Sequence, residues 1–148
     1  MLSPGLLTVW TREALAAARA GDRFDADELA GRIADRGDVM DLIAVCRVVA
    51  DAAMRALIAV HGPLVDGEAW VLDPAEEDDS PADVFAGRLI TAYTNRDHDT
   101  VTALVAAAAS ASPTERTESL QSLISYAAEL EARAVQHRLD QEGTTPDD

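Results

Sequence analysis

Three Ser-Pro dipeptides mark positions at which helices can begin: Ser3-Pro4, Ser80-Pro81 and Ser112-Pro113. A serine side chain accepts hydrogen bonds from the free backbone N–H groups of a first helical turn, and proline is tolerated at its first position. The second and third serines are followed three residues later by Asp83 and Glu115, as in a capping box. The sequence therefore predicts helices that begin at Pro4, Pro81 and Pro113.

Aspartate and glycine predict the remaining helix boundaries. Asp25 with Glu28 has the pattern of a capping box, and Asp38 and Asp99 each precede a further segment of helical periodicity. Helix ends are expected where glycine or asparagine follows such a segment, at Gly21, Gly37, Gly62 and Asn95. The predicted helices span about 4–20, 26–36, 39–61, 81–94, 100–111 and 113–141.

The composition favours close packing of these helices in one domain. The chain has 148 residues, of which 29 are alanine and only 4% are aromatic. Alanine is the best helix former, and its small side chain lets two helix backbones approach closely. We therefore predict an all-α single-domain bundle of about six helices. Two packed three-helix units are an alternative organisation, because the segments that begin at Leu42 and Leu120 resemble each other.

Two helices carry distinct apolar patterns. The predicted third helix is apolar around most of its circumference, from Val39 to Ile58, with a narrow polar stripe in which Asp51 and Arg55 can pair. This pattern predicts a central helix packed on several sides. The predicted sixth helix has an apolar stripe that includes Leu120 and Val135, and it leaves open whether the stripe packs inside the domain or forms a dimer seam.

Two longer segments lie outside the predicted helices. Residues 62–79 form the longest non-helical stretch, and a turn signal at Asp66-Gly67 predicts a short β-hairpin there. Residues 142–148 are polar and acidic, so we expect a mobile tail after a helical domain that spans residues 1–141.

Charge excludes several classes of partner. Twelve arginines, no lysine and 27 acids give a formal net charge of −15. Binding to nucleic acid or to an anionic membrane needs clustered basic residues, so neither partner is expected. The charge favours attraction to a basic protein. A single cysteine, no recognisable secretory signal and no uninterrupted apolar span predict a cytoplasmic protein without a transmembrane helix.

No motif of catalysis or cofactor binding is present in the sequence. It contains no phosphate-binding glycine loop and no Gly-x-Ser-x-Gly elbow. Cys46 stands on the most apolar helix face, which predicts an inert core thiol. His98 lies between two aspartates, but we interpret it as an exposed residue of a turn in which Asp99 caps the next helix. We therefore predict no catalytic residue, no metal site and no cofactor.

One enzymatic alternative depends on carboxylates at helix spacing. Asp25 with Glu28 and Asp38 with Asp41 are two pairs at i, i+3 on consecutive helices. This spacing resembles that of small all-α nucleotide pyrophosphohydrolases, which hold magnesium with paired acids. The resemblance implies a magnesium-dependent hydrolase that uses Glu28, Asp38 and Asp41 and requires them to converge in one pocket. It covers little of the chain, since both pairs coincide with predicted helix caps and those enzymes mainly use glutamate within helices.

The function that the sequence favours is a small acidic protein-interaction module, binding a protein partner or a second copy of itself. Class analogy with immunity proteins, inhibitors and assembly chaperones supports this hypothesis. A DNA mimic is a further alternative. The densest charge, next to an aromatic residue expected to be exposed, gives the candidate partner-binding residues: Trp70, Glu76, Glu77, Asp78 and Asp79.

Overall fold

The described part of the chain folds into a bundle of packed α-helices. The computed structural model describes residues 1–65, 68–70 and 78–143, and within these ranges it contains six helices and no strand. The predicted all-α fold is confirmed. The helices are α1 (Pro4–Arg19), α2 (Arg23–Arg36), α3 (Val39–His61), α4 (Pro81–Thr94), α5 (His98–Ser110) and α6 (Pro113–Gly143).

The three Ser-Pro dipeptides begin helices as predicted. The Ser3 side chain accepts a hydrogen bond from the N–H of Leu6, and the Ser80 side chain accepts one from the N–H of Asp83. Before α6 the capping box is complete, because Oγ of Ser112 accepts from the N–H of Glu115 at 3.2 Å while the Glu115 carboxylate accepts from the N–H of Ser112 at 3.1 Å. Local side-chain chemistry therefore fixes these three starts.

Two predicted helix starts were wrong by a few residues. Helix α2 is capped by Asp22 rather than Asp25, and α5 is capped by Asp97 rather than Asp99. In each case the earlier aspartate accepts from the N–H three residues on, and its helix begins at the next residue. His98 is consequently the first residue of α5 and not part of a turn. The reason is a very tight connection that leaves room for no further turn residue.

The same tight connection occurs twice. Gly21 follows α1 with φ of 79°, and Arg96 follows α4 with φ of 61°. The N–H of Asp22 donates to the carbonyl of Ala17 at 2.9 Å, and the N–H of Asp97 donates to that of Ala92 at 2.8 Å. A left-handed residue after the helix and a 6→1 hydrogen bond are the features of a Schellman motif. Glycine adopts this conformation freely, whereas arginine does so at an energetic cost.

Arg96→Gly is expected to stabilise the protein by about 0.5–1 kcal/mol. Relief of left-handed strain is worth roughly 1–2 kcal/mol, and the extra freedom of glycine in the unfolded chain offsets part of it. Gly21→Ala, the matched control at the equivalent turn, is expected to destabilise by about 1 kcal/mol. Urea unfolding of both variants measures the two effects, and a destabilised Arg96→Gly protein would contradict this account of the turns.

Helix α3 lies at the centre of the bundle, as its apolar pattern predicts. It packs against α1, α4, α5 and, most extensively, α6. Val45, Val49 and Ala53 are almost completely buried. Val39 was expected in the core but is 46% exposed, because it occupies the first position of the helix, at the edge of the bundle.

The apolar stripe of α6 packs inside the domain. Leu120, Leu123 and Ala127 are at most 2% exposed and belong to the same core as α3. This part of the stripe is therefore not an open dimer seam. Val135, further along the helix, is 45% exposed.

The two halves of the chain repeat one arrangement. Helices α1, α2 and α3 of the first half correspond to α4, α5 and α6 of the second. Each pair of helices that packs together has an equivalent pair that also packs together, except for the sparse contact of α5 with α6. Because α2 packs on α6 and α5 packs on α3, the halves interlock in one bundle and are not two separable units. Asp38 caps α3 and Ser112 caps α6, so these two residues are equivalent. An alignment of the halves on these caps differs by about one helical turn from the sequence alignment of Leu42 with Leu120.

The predicted loop and tail fall partly outside the described residues. The turn at 66–67 and residues 71–77, on which the β-hairpin was expected, lie outside them, as do residues 144–148 of the tail. Helix α6 continues to Gly143, two residues beyond the predicted end of the domain. Among the described helices, none combines the length and apolar character needed to cross a membrane.

Candidate functional site

Two open grooves lie on the bundle. The first has a volume of about 960 Å³ and runs between α1, α3 and the end of α6, with Tyr93 of α4 also on its wall. The second has a volume of about 1060 Å³ and runs between α4, α5 and the middle of α6. Both grooves are large enough to accommodate part of a ligand or partner, so volume does not distinguish them. The chemistry of their walls does.

The first groove concentrates positive charge. Two acids, Asp51 and Glu131, lie on its walls. Five of the twelve arginines of the chain line the same groove: Arg12, Arg19, Arg47, Arg55 and Arg138. Counting His137 as neutral, the walls carry three positive charges in excess, although the chain as a whole carries −15. We name this surface, with these five arginines, the basic groove.

The two acids of the basic groove already have partners within the protein. Oδ2 of Asp51 lies 2.8 Å from Nε of Arg55, and Oδ1 of Asp51 accepts a hydrogen bond from the hydroxyl of Tyr93 at 3.1 Å. The pKa of Tyr93 is raised, first by burial and then by the nearby Asp51 charge. The predicted pairing of Asp51 with Arg55 is thereby confirmed.

The second internal pair joins α1 to α6. Nη1 of Arg19 lies 3.0 Å from Oε2 of Glu131. Oε1 of Glu131 is buried and has no hydrogen-bond partner among the described residues.

Three arginines of the basic groove form no ion pair within the described part of the chain: Arg12, Arg47 and Arg138. All three are exposed and come from three different helices. In a chain with more than twice as many acids as arginines, unpaired arginines on one surface are available to bind a carboxylate or another anion. The excess positive charge of the groove therefore resides on groups that are available to a ligand.

Apolar side chains lie between the arginines. Val48 and Val135 are 51% and 45% exposed and line the groove, where Leu15 and Ala56 contribute buried surface. A surface that combines exposed aliphatic groups with arginine and a tyrosine has the composition of protein interfaces, in which arginine and aromatic residues supply much of the binding energy. The basic groove is thus amphipathic.

The second groove is the structural counterpart of the first. Helices α3 and α6 can be aligned on their capping residues, Asp38 and Ser112. In this alignment the α6 residues that line the second groove coincide with α3 residues that line the basic groove; they are Ser122, Ser125, Tyr126, Glu129, Leu130 and Arg133. The chemistry of the two grooves differs, because Glu129 occupies the position equivalent to Arg55. When α1 and α4 are aligned on the turns at Gly21 and Arg96, Gly87 occupies the position equivalent to Arg12. Three arginines face four acids in this groove, so it has no positive excess.

Hydroxyl groups and internal hydrogen bonds characterise the second groove. The Ser122 hydroxyl donates to Oδ1 of Asp83 at 2.6 Å and links α6 to α4. This bond is the largest cause that holds the pKa of Asp83 below its ordinary value, followed by the bond from Ser80. The second groove has a similar position in the fold but a different charge, so it can serve as a control for experiments on the basic groove.

Three of the predicted partner-binding residues, Trp70, Asp78 and Asp79, are described by the structure and do not line the basic groove. Trp70 was expected to be exposed, but it is half-buried, packs against the core and has its ring edge on to His61, with ring centroids 5.8 Å apart. The backbone N–H of Trp70 donates to Oδ1 of Asn95 at 2.6 Å, and Nδ2 of Asn95 donates back to the backbone carbonyl of Trp70. Asp78 and Asp79 are exposed, and Asp79 lines the second groove. Glu76 and Glu77 lie outside the described residues.

The acids of the magnesium alternative are engaged within the protein, Asp38 and Asp41 in a helix cap and Glu28 in an ion pair. Asp38 and Asp41 form a reciprocal capping box, in which Oδ2 of Asp41 also accepts the N–H of Leu2 at 2.9 Å. Glu28 forms an exposed ion pair with Arg32 one turn away. The described ranges contain no group of three or more acids, histidines or cysteines with the geometry of a metal site. The convergence that this alternative requires has no support in the geometry.

Asp41→Asn is expected to lower Tm at pH 7. The N–H groups of Leu2 and then of Asp38 hold the pKa of Asp41 below its ordinary value of 3.8. A carboxyl group whose pKa is lowered by folding stabilises the protein above its unfolded pKa and loses this contribution as the pH falls through the folded pKa. The gap in Tm between wild type and variant should therefore narrow only below about pH 3.8.

Thermal melts from pH 7 down to acid, followed by circular dichroism, measure this gap. Glu118→Gln removes the same charge from an exposed site of α6 and should change stability by no more than about 0.5 kcal/mol. An unchanged Tm for Asp41→Asn at pH 7 would contradict the structural role.

Cys46 is a core residue, as predicted. It is 3% exposed, and burial raises the pKa of its thiol to about 12. The group is therefore protonated and unreactive at neutral pH.

The arginines of the basic groove were not recognised from the sequence as a set. Arg47 and Arg55 were visible as part of a polar stripe on an otherwise apolar helix, and this was the only local signal. Comparison of the chain with protein-family models, with curated proteins and with solved structures found no match.

Proposed function

We propose that this domain is a protein-interaction module and that the basic groove is its binding surface. The observation that carries the proposal is an excess of three positive charges on the walls of one groove of a strongly acidic chain. Arg12, Arg47 and Arg138 of this groove form no ion pair among the described residues. In the second groove Arg23, Arg88 and Arg133 form none either, but four acids line that groove with them, so of the two grooves the basic groove alone offers net positive charge to an external partner.

The size and composition of the groove support a protein partner. Its walls come from three helices and include exposed Val48 and Val135 beside Tyr93. Burial of such apolar surface provides the non-directional part of the binding energy, and charge-assisted hydrogen bonds to arginine provide orientation. A partner that is basic overall, as the net charge favours, and a homodimer both stay predictions, as does the DNA mimic. They concern the surface as a whole, whereas this proposal concerns the groove.

Capture from a lysate of the cells that naturally make the protein tests the proposal. The wild type is immobilised beside the double variant Arg12→Glu/Arg47→Glu, which reverses charge in the basic groove. The double variant Arg88→Glu/Arg133→Glu makes the same change in the second groove and is the matched control. Light scattering on each purified protein shows whether the partner is a second copy of the chain.

The expected result is a stoichiometric protein, or a dimer, that is retained by the wild type and the control and lost from the basic-groove variant. Capture that is equal on all three proteins would place the binding surface elsewhere. A wild-type protein that retains nothing and is monomeric would contradict the interaction module itself.

A further inference from the structure

We propose that the occupant of the basic groove is an acidic amphipathic helix of a partner protein, an inference that rests on the proposed function. Three properties of the groove favour this partner: the sign of its charge, the placement of its unpaired arginines and the shape of its walls.

The sign of the charge comes from the unpaired arginines. Asp51 and Glu131 are neutralised by Arg55 and Arg19, so the net charge that a ligand meets belongs to the three other arginines of the groove. At physiological salt the Debye length is about 8 Å, so the groove charges dominate over the distant acids of the surface. A ligand with carboxylates at its edges is therefore attracted locally even though the chain carries −15 overall.

The unpaired arginines are distributed over the walls of the groove. Each of the three principal helices contributes one, Arg12 from α1, Arg47 from α3 and Arg138 from α6. A ligand helix that lies along the groove can therefore present acids to an arginine on each wall, while its apolar positions at i, i+3 and i+4 face Val48 and Val135.

The shape of the walls favours a helix over an extended peptide. All three principal walls are helices, so the residues described at this groove offer no free strand edge to which an extended chain could add. The part of α3 that lines the groove, residues 47–59, is roughly 18 Å long and accepts about three turns of a ligand helix. A ligand helix that packs into the basic groove follows the same rules as the helices that pack inside the bundle.

A designed probe tests the occupant. The acidic probe is a fluorescently labelled helical peptide of about five turns, with leucine at i, i+3 and i+4 and glutamate on both flanks. A scrambled peptide of the same composition lacks the amphipathic spacing, and a third peptide carries lysine in place of glutamate. Fluorescence anisotropy gives Kd for each peptide with the wild type and with the two double variants described above, after thermal melts confirm that the variants fold.

The acidic probe is expected to bind the wild type and to lose about tenfold or more in affinity with Arg12→Glu/Arg47→Glu. The Arg88→Glu/Arg133→Glu control should leave Kd within about twofold, and the scrambled peptide should bind the wild type more weakly than the probe. Equal binding of probe and scrambled peptide would overturn the helical occupant. No measurable binding of the probe at about 1 mM, or binding that ignores the groove variant, would overturn the inference as a whole.

The lysine peptide separates this inference from the proposed function. If it binds instead and the groove variant changes its Kd, the occupant proposed here is wrong while the groove remains a binding surface. If lysate capture depends on the groove but no peptide binds, the interaction module stands and its partner is not an acidic helix. Failure of both experiments would overturn both proposals.

Discussion

Leu123→Ala is expected to lower the free energy of unfolding by about 2–5 kcal/mol. Leu123 is completely buried on α6, in the same apolar core as Val49 and Ala53 of α3. Truncation removes the transfer energy of the side chain and leaves a cavity, which fixed helix backbones refill only in part. The largest helix contact in the bundle is between α3 and α6, so the loss falls on the element pair that holds both halves together.

Leu139→Ala is the matched control for this prediction. Leu139 lies on the same helix but is 52% exposed, so the same truncation there should cost no more than about 0.5 kcal/mol. Urea unfolding measures both changes, and Tm should fall by roughly 4–20 °C for Leu123→Ala alone. Equal effects of the two truncations would show that α6 is not packed as the structure describes.

Gly37→Ala is the second substitution with a large expected effect, a destabilisation of about 1–3 kcal/mol. A Cβ at this position would lie 2.7 Å from the carbonyl oxygen of Ile33 and 3.2 Å from Cβ of Asp41. The φ of Gly37 is −79°, which any residue adopts, so the cost is steric and does not come from the backbone conformation. Relief of the contact requires movement of the turn that joins α2 to the capping box of α3.

Gly87→Ala provides a control with the opposite sign. Gly87 lies inside α4 and a Cβ there would meet nothing within 4 Å. Alanine in a helix interior is more stable than glycine by roughly 0.5–1 kcal/mol, so this variant should gain stability. Chemical denaturation of the two alanine variants side by side decides the matter, and a Gly37→Ala protein at least as stable as the wild type would contradict the close approach at this turn.

The fold was largely predictable because its helix boundaries depend on local chemistry. Serine before proline at Ser3, Ser80 and Ser112 fixes a helix start within a few residues of chain, and the structure confirms all three. The starts at Asp22 and Asp97 were missed because a later aspartate in each segment can cap equally well by sequence. The choice depends on the tight turn before the helix, and Arg96 in the left-handed region gives no warning of such a turn.

The basic groove could not be predicted, since its unpaired arginines are far apart in the chain. Arg12, Arg47 and Arg138 meet only when α1, α3 and α6 pack together. The net charge of −15 favours acids such as Asp78 and Asp79 as binding residues and gives no indication of a basic surface. An average over the surface contains no information about a local excess of the opposite sign.

Hydrogen exchange with mass spectrometry tests the role of the basic groove most directly. The protein is compared alone and with its captured partner or, before a partner is known, with the acidic probe peptide. We expect slower exchange in the segments that line the groove, residues 12–19, 47–59 and 131–141, and no change in residues 95–104 of the second groove. Protection confined to residues 95–104, or to the acidic residues at 78–79, would contradict the account.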